Sequence, residues 1–361
     1  MARGLLSRGF ALAFVLAAGC TEKPRVLRLY NWVSNIAPET VAAFERKYGC
    51  KVEISTFDTN EEMLERVGGR ADFDLIAPSS YVIGQMRKER LIVRIDHSRC
   101  PNVKRNFDPK FVTMLQEDPE LLYAVPYGLS HAGLLYTSNA VPAGVDVGTW
   151  AVLGDPALRS HAFLLDDMRE ALGVGLLYLG HSANSTDERE VAAAADQLIK
   201  WSANGCRWDS DDAMFEENDS YQTWVWHAYG DTANHLLLGN GEPVAHPDLA
   251  FASPREGCVF SCEELVVSAH ASNPDLAHAF IDFLYSDPAV GKAQMEYLGS
   301  LLPCVPALGA LSPEQRRLIE PSQEELARGQ LLEGFEDRPD VQAFYEREWS
   351  RVVRSRVVKG R

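Results

Sequence analysis

Apolar and polar residues alternate along Leu27-Arg28-Leu29-Tyr30, the mark of a short strand with one buried face. Pro38 then opens a stretch in which Val41, Phe44 and Tyr48 share one helical face, and Gly49 closes it. Val52, Ile54 and Thr56 alternate again. Asn60 is placed to cap a helix through Met63 and Val67 that stops at Gly68-Gly69, and Phe73 to Ala77 is a buried-looking strand halted by Pro78. This β-α-β-α-β order predicts the opening of an open α/β sheet. Asn31-Trp32 and Ser79-Ser80-Tyr81 fall at the carboxyl ends of its first and third strands, where such sheets bind ligands.

The pattern continues with strands at Tyr123 to Tyr127 and Ala132 to Tyr136, the second a candidate crossover between lobes. Phe163-Leu164-Leu165 reads as a strand, and Asp166 to Glu170 as the start of a helix. Thr186 is placed to cap a helix carrying Val191, Ala195, Leu198 and Trp201. Gln222 to Trp226 is an aromatic-rich strand or helix edge. Cys258-Val259-Phe260 and Leu265-Val266-Val267 bracket Glu263-Glu264, Asn273-Pro274 and Asp287-Pro288 open helices, and the tail from Pro339 reads as helical. No repeat or low-complexity linker separates the two halves, so a two-lobed chain of this kind crosses between lobes more than once.

The N-terminus departs from this pattern. Arg3 and Arg8 flank a basic start, Phe10 to Ala18 is continuously apolar, and Ala17-Ala18-Gly19-Cys20 follows. The run is too short to span a membrane and ends in small residues, as an export signal does. Cys20 at the first mature position is the residue a lipoprotein signal acylates. Residues 1–19 are therefore expected to be a lipoprotein signal peptide and residues 20–25 an anchor segment, with the protein held by lipid on the periplasmic side of the inner membrane.

Composition narrows the function. The chain has 35 Lys and Arg against 51 Asp and Glu, a net charge of −16. That balance argues against nucleic acid as a partner and favours a ligand of positive charge. Six further cysteines, Cys50, Cys100, Cys206, Cys258, Cys262 and Cys304, leave both disulfides and buried thiols open. Nine histidines stand with no two four apart, which excludes an H-E-x-x-H zinc helix. No phosphate-binding Gly-rich loop appears, and Gly180-His181-Ser182-Ala183-Asn184 begins like a nucleophile elbow but lacks its final glycine. No enzymatic activity, metal or cofactor is expected.

An organic cation has its own requirements. Removing water from an alkylammonium is costly unless carboxylates replace it, and aromatic faces suit both its charge and its methylenes. The sequence supplies such groups, and it resembles the periplasmic spermidine/putrescine-binding proteins of polyamine ABC transporters over nearly the whole mature chain. The resemblance rests on Tyr30-Asn31-Trp32 with Ile36-Ala37-Pro38-Glu39, Asp74 to Tyr81, Met86 to Glu89, Leu164 to Glu170, Leu179 to Asp187 and Asn273 to Tyr285, in that order. It implies a two-lobed, type II-like periplasmic-binding-protein α/β fold, with a cleft between lobes and crossover strands as the hinge. Residues 26–131 and 263–305 form the first lobe on this reading, and 132–262 and 306–361 the second. The implied function is capture of putrescine or spermidine for delivery to an ABC permease. A different small cationic or zwitterionic solute, or a surface sensor or adhesin role, is the alternative.

The resemblance also implies a site. Trp32 and Trp226 match stacking aromatics, and Ser79, Tyr81 and Ser210 match cleft-lining positions. Asp167, Glu170 and Glu263 match ammonium-binding carboxylates. The sequence departs from the family at Val33, Ser34 and Asn35, where a small polar residue, an acid and a tyrosine are usual. Ser261 and Ser300 stand where aromatics are usual. Asp231, five residues past Trp226, is an acid whose place the alignment leaves open.

Overall fold

The computed structural model describes residues 25–115, 118–210, 223–238, 248–335 and 337–357. The expected signal, Cys20 and all but the last residue of the anchor segment lie outside them. The first lobe begins with parallel strands β1 (Arg25–Trp32), β2 (Cys50–Phe57) and β3 (Leu75–Ile76), joined by helices α1 (Pro38–Tyr48) and α2 (Asn60–Gly68). Pro38 starts α1, and Gly49 ends it at φ 59°, a left-handed conformation that an L side chain resists. Thr59, not Asn60, caps α2, accepting the Glu62 N–H at 3.1 Å. The Asn60 amide is thereby left for another task at the site.

Alternation along the strands feeds two cores, one on each face of the sheet. Leu27, Leu29, Leu75 and Ala77 enter one; Tyr30 and Ile76 enter the other with Phe57, Met63 and Met86. Two long strands complete this sheet. The strand pieces expected at Tyr123–Tyr127 and Ala132–Tyr136 are one 14-residue strand, β4 (Ala124–Thr137), buried along nearly its whole length. The two apolar runs around Glu263 are likewise one strand, β5 (Val259–Val267), antiparallel to both β3 and β4.

These strands are the hinge. From Ala124 to His131, β4 pairs with β5; from Ala132 onward it pairs with β6 (Val225–Tyr229) and β7 (Leu249–Ala252) of the second lobe. Leu129 packs in the first lobe's core with Leu27 and Leu29, and Leu134 in the core of the second lobe. The third crossing is β8 (Gln330–Leu331), which pairs with Val259–Phe260. It leads to the C-terminal helix α3 (Pro339–Val357), where Tyr345 donates its hydroxyl to the Ser185 carbonyl at 2.9 Å. The second lobe is completed by strand β9 (Ala162–Leu165), strand β10 (Arg207–Asp209), helix α4 (Met168–Tyr178) and helix α5 (Glu188–Asn204). Asp187 rather than Thr186 caps α5, because its carboxylate accepts the Arg189 N–H. Ala307, Leu308, Leu311 and Ile319 pack in the first core, so that core continues past residue 305.

The six described cysteines are all buried and unbridged. No helix among the described residues is long and apolar enough to cross a membrane.

Candidate functional site

The carboxyl ends of β1 and β3 are shaped by two asparagines. Asn31 is fully buried; its Oδ1 accepts the Trp32 N–H at 2.8 Å and the Tyr127 hydroxyl at 2.6 Å, and its Nδ2 donates to the Asn35 carbonyl at 3.1 Å. Asn35 in turn donates to Tyr127 Oη at 3.0 Å. This network turns the chain sharply after Trp32, with Ser34 at φ 53°. Trp32 rests on Phe57, ring centroids 4.5 Å apart, and its Nε1 has no partner among the described residues. Asn60, freed from capping, accepts the Ser79 N–H at 3.2 Å and donates to Tyr81 Oη at 2.7 Å. One side chain thus fixes both expected contacts of that loop.

Tyr81 packs against cores of both lobes, so it stands at the seam between them. Burial pushes its phenol up to about 12, and Asp167 and Arg169 of the second lobe are among the charges it feels. Asp167 caps α4, accepting the Glu170 N–H at 2.8 Å. Ser79 forms an antiparallel bridge with Glu263 on β5. Beyond Glu263 lies Asp231, the first acid of helix α6 (Gly230–Leu238), whose charge acts on Glu263. A continuous line therefore runs Asp167, Tyr81, Ser79, Glu263, Asp231 along the seam.

Three carboxylates on this line share a signature. Asp167 is exposed and Asp231 and Glu263 are half-buried, yet each is so closely surrounded by protein that desolvation raises its pKa. A group that water reaches but protein crowds stands in the wall of a cleft. Glu263 is shifted furthest, to about 8, by desolvation first and the like charge of Asp231 second. Asp167 rises by desolvation, partly offset by the N–H groups of Glu170 and Arg169.

The remaining expected residues sit differently. Glu170 is 2% exposed and faces His227 Nε2 at 3.3 Å inside the second lobe. Burial holds His227 neutral, its pKa lowered to about 3. Trp226 is buried among Leu135, Phe163, Ala228 and Ala233, with its Nε1 unpartnered among the described residues. Ser210 is exposed just past β10, its N–H on Asp209 Oδ1 at 2.9 Å. The structure also places residues at the seam that the aligned set did not include, above all Asp231, Asn60 and Tyr127. Asp231 was visible as an acid near Trp226, but nothing in the spacing shows that α6 aims it at Glu263.

Three hollows elsewhere hold none of these three acids. A groove of about 810 Å³ runs beside Ser34, Pro38, His235 and Tyr297, one of about 420 Å³ beside Ser182, Asn184 and Gln330, and a cavity of about 30 Å³ is lined by Ser80, Asp118, Glu264 and Glu333. No cluster of three or more His, Cys, Asp or Glu among the described residues is arranged to hold a metal.

Comparison with known proteins agrees with this architecture. Residues 39–315 match the family described as bacterial extracellular solute-binding protein. The spermidine/putrescine-binding periplasmic protein of Salmonella typhimurium is 31% identical over 360 residues, covering 98% of this chain and 99% of that one. The putrescine/cadaverine-binding protein of Pseudomonas aeruginosa is 27% identical, covering 85% and 88%. Among solved structures, the spermidine/putrescine substrate-binding protein of Streptococcus pneumoniae superposes with a TM-score of 0.80 at 26% identity, covering 92% of this chain and 99% of that one.

Proposed function

The chain belongs to the bacterial extracellular solute-binding protein family, among relatives that serve polyamine ABC importers and are not enzymes, and we propose that it captures a linear polyamine in the interlobe cleft and presents it to its permease. The observation that carries this reading is the line of crowded, water-reachable carboxylates at the seam, Asp167 at one end and Glu263 with Asp231 at the other. Each end offers negative charge to one terminal ammonium, and Trp32, Ser79 and Tyr81 line the stretch between.

Binding and closure are one event on this reading. Tyr81 belongs to the first lobe and Asp167 to the second, so both grip one ligand only when the lobes meet. Ligand therefore stabilises the closed form by its extra contacts there. The β4 and β5 crossings supply the hinge. An incoming ammonium also restores the charge that burial removes from Glu263: an opposite charge lowers a carboxyl pKa, so binding near neutral pH expels a proton.

Glu170 supports the site through His227 and α4, and Trp226 backs it from the satellite core. Lipid attachment at Cys20 would hold the protein beside its permease, with residues 1–19 removed and residues 20–25 as tether. The lobes divide at the three hinge crossings. The reading is tested by calorimetric titration of ligand-free protein with putrescine, cadaverine and spermidine. Saturable binding of at least one, lost on reversing charge at Asp167 and Glu263 together, is the expected result.

A further inference from the structure

The three crossings between the lobes meet at a buried polar cluster on the side of β4 that faces away from Asp231. Ser130 and His131 stand where β4 changes partner, and successive side chains of a strand point to opposite faces. Ser130 turns to the site, its Oγ accepting the Asp231 N–H at 3.0 Å. His131 turns the other way. It is buried, its ring lying between Phe260 of β5, centroids 5.2 Å apart, and Phe251 of β7, 5.6 Å apart. Two glycines admit those rings. A Cβ on Gly133 would stand 2.5 Å from Phe251, and one on Gly329, just before β8, would overlap Phe260.

From His131 a relay of hydrogen bonds leads out of β4. His131 Nε2 lies 3.0 Å from Ser253 Oγ, and that hydroxyl donates to Glu325 Oε1 on helix α7 (Gln323–Arg328). With its one proton given to Glu325, Ser253 Oγ accepts from a neutral imidazole protonated at Nε2. Burial holds His131 below its ordinary pKa, and Glu325 and Arg328 are the charges facing it. Glu325 Oε2 in turn accepts the Ser322 N–H at 2.8 Å and hydroxyl at 2.7 Å. Arg328 Nη2 donates to the Ser253 carbonyl at 3.1 Å.

The two sides of this relay belong to different lobes. Ser253 follows β7, and the residues after it are fixed in the second lobe: the Arg255 N–H donates to the Gly148 carbonyl at 3.0 Å, and Glu256 accepts the Trp150 N–H at 3.4 Å. Helix α7 packs on the first lobe's core through Leu326. The bonds of Ser253 to Glu325 and Arg328 therefore cross between lobes. They are made in the same arrangement in which Tyr81 touches cores of both lobes. A hydrogen bond weakens steeply outside a narrow range of distance and angle, so a rotation that parts the lobes breaks them.

We propose that His131, Ser253, Glu325 and Arg328 form an interlobe clasp that favours the ligand-holding arrangement from behind the hinge, and so sets affinity without touching the ligand. A contact made only with the lobes together raises the fraction of the protein ready to hold ligand. This inference takes from the proposed function only that the ligand is held between the lobes.

Ser253→Ala removes the middle of the relay, Glu325→Gln removes its charge, and Ser253→Thr keeps the hydroxyl. Each protein is titrated with putrescine in a calorimeter, and its radius of gyration is measured by X-ray scattering without and with saturating putrescine. Thermal melts establish that the variants fold. Ser253→Ala and Glu325→Gln should each lower the lobe-closing equilibrium by about three- to tenfold, the worth of one hydrogen bond. Where the ligand-free wild type scatters as a larger particle than the loaded form, that loss is read as weaker putrescine binding; where it does not, as a larger ligand-free radius in the variants. Loaded radii should agree throughout, and Ser253→Thr should behave as wild type. Unchanged affinity together with unchanged ligand-free radius in both variants overturns the clasp, as does tighter binding by either. A wild type that does not bind putrescine counts against the polyamine reading alone, and the ligand-free radii then decide the clasp: larger in the variants supports it, equal overturns it.

Discussion

Glu263→Gln separates the charge of the cleft from its shape. The side chain keeps its size, but a partner for the ligand cation is lost from a half-buried site flanked by Asp231 and Ser300. With a pKa of about 8, the wild-type carboxyl is only roughly one-tenth ionised at pH 7, so binding must first remove its proton. Wild-type affinity should therefore rise by roughly tenfold per pH unit from 6 to 8 and level off above, while an amine of ordinary pKa stays charged throughout. At pH 8 the variant should bind weaker by on the order of 1.5–5 kcal/mol, the usual range for truncating one side of a desolvated charged pair. At pH 6 the wild type is itself protonated, so the two affinities should converge. Calorimetry in buffers of different ionisation heat measures both quantities, and close to one proton released per ligand at pH 7 should be seen in the wild type. A wild-type affinity flat from pH 6 to 8, or a variant with the same pH slope, would refute the placing of Glu263 against the ligand charge.

Further outcomes follow from other parts of the structure. Asp167→Asn should weaken amine binding by on the order of 1.5–5 kcal/mol and Trp32→Ala by on the order of 1–3 kcal/mol in the same assay, with folding of the lobes nearly unchanged. Glu264 is 4% exposed and raised to about 8, by burial first and Asp118 second, so folding favours its protonated form. Its contribution to stability is present below about pH 4.5 and lost as pH rises through about 8. Glu264→Gln should accordingly raise the melting temperature at pH 8 and change it little at pH 4.5, the difference on the order of 1–3 kcal/mol. Putrescine should bind at least as well as spermidine, since a third ammonium between the two acidic ends meets Trp32, Ser79 and Tyr81 rather than an acid, and spermidine binding tenfold tighter would reverse that order. Cys20→Ser should release the protein from detergent extracts or leave its precursor uncut; unchanged processing and membrane retention would remove the lipid anchor.

The fold was legible wherever periodicity alone decides it. The alternation at Leu27–Tyr30, the helical faces after Pro38 and Asn273, and the apolar run before Pro78 all became the expected elements. The continuity of β4 and β5 was not legible, because Gly128 and the Glu263-Glu264 pair interrupt the apolar pattern. Gly128 clears room for Glu263 and Ser300, and Glu263 stands in the proposed site, while its neighbour Glu264 turns to the opposite face of the strand, buried near Asp118. Caps slipped by one residue at Thr59 and Asp187, since either neighbour has a suitable oxygen and only tertiary demand on Asn60 decides the first case. Of the proposed site, Trp32, Ser79, Tyr81, Asp167 and Glu263 were within reach of alignment, as were Glu170, Ser210 and Trp226, which sit differently. Asp231 was not, because its proposed role depends on α6 docking against Gly299, a contact between segments far apart in the chain.

The central claim is that the cleft holds a polyamine-class cation. Mass spectrometry of small molecules released by denaturing the purified mature protein tests it most directly, because a binding protein with this site should retain its ligand through purification. The account predicts release of a di- or triamine at up to one molecule per chain, with none from a protein carrying Asp167→Asn and Glu263→Gln together. Release of an anionic or uncharged solute from the wild type, in place of an amine, would contradict it.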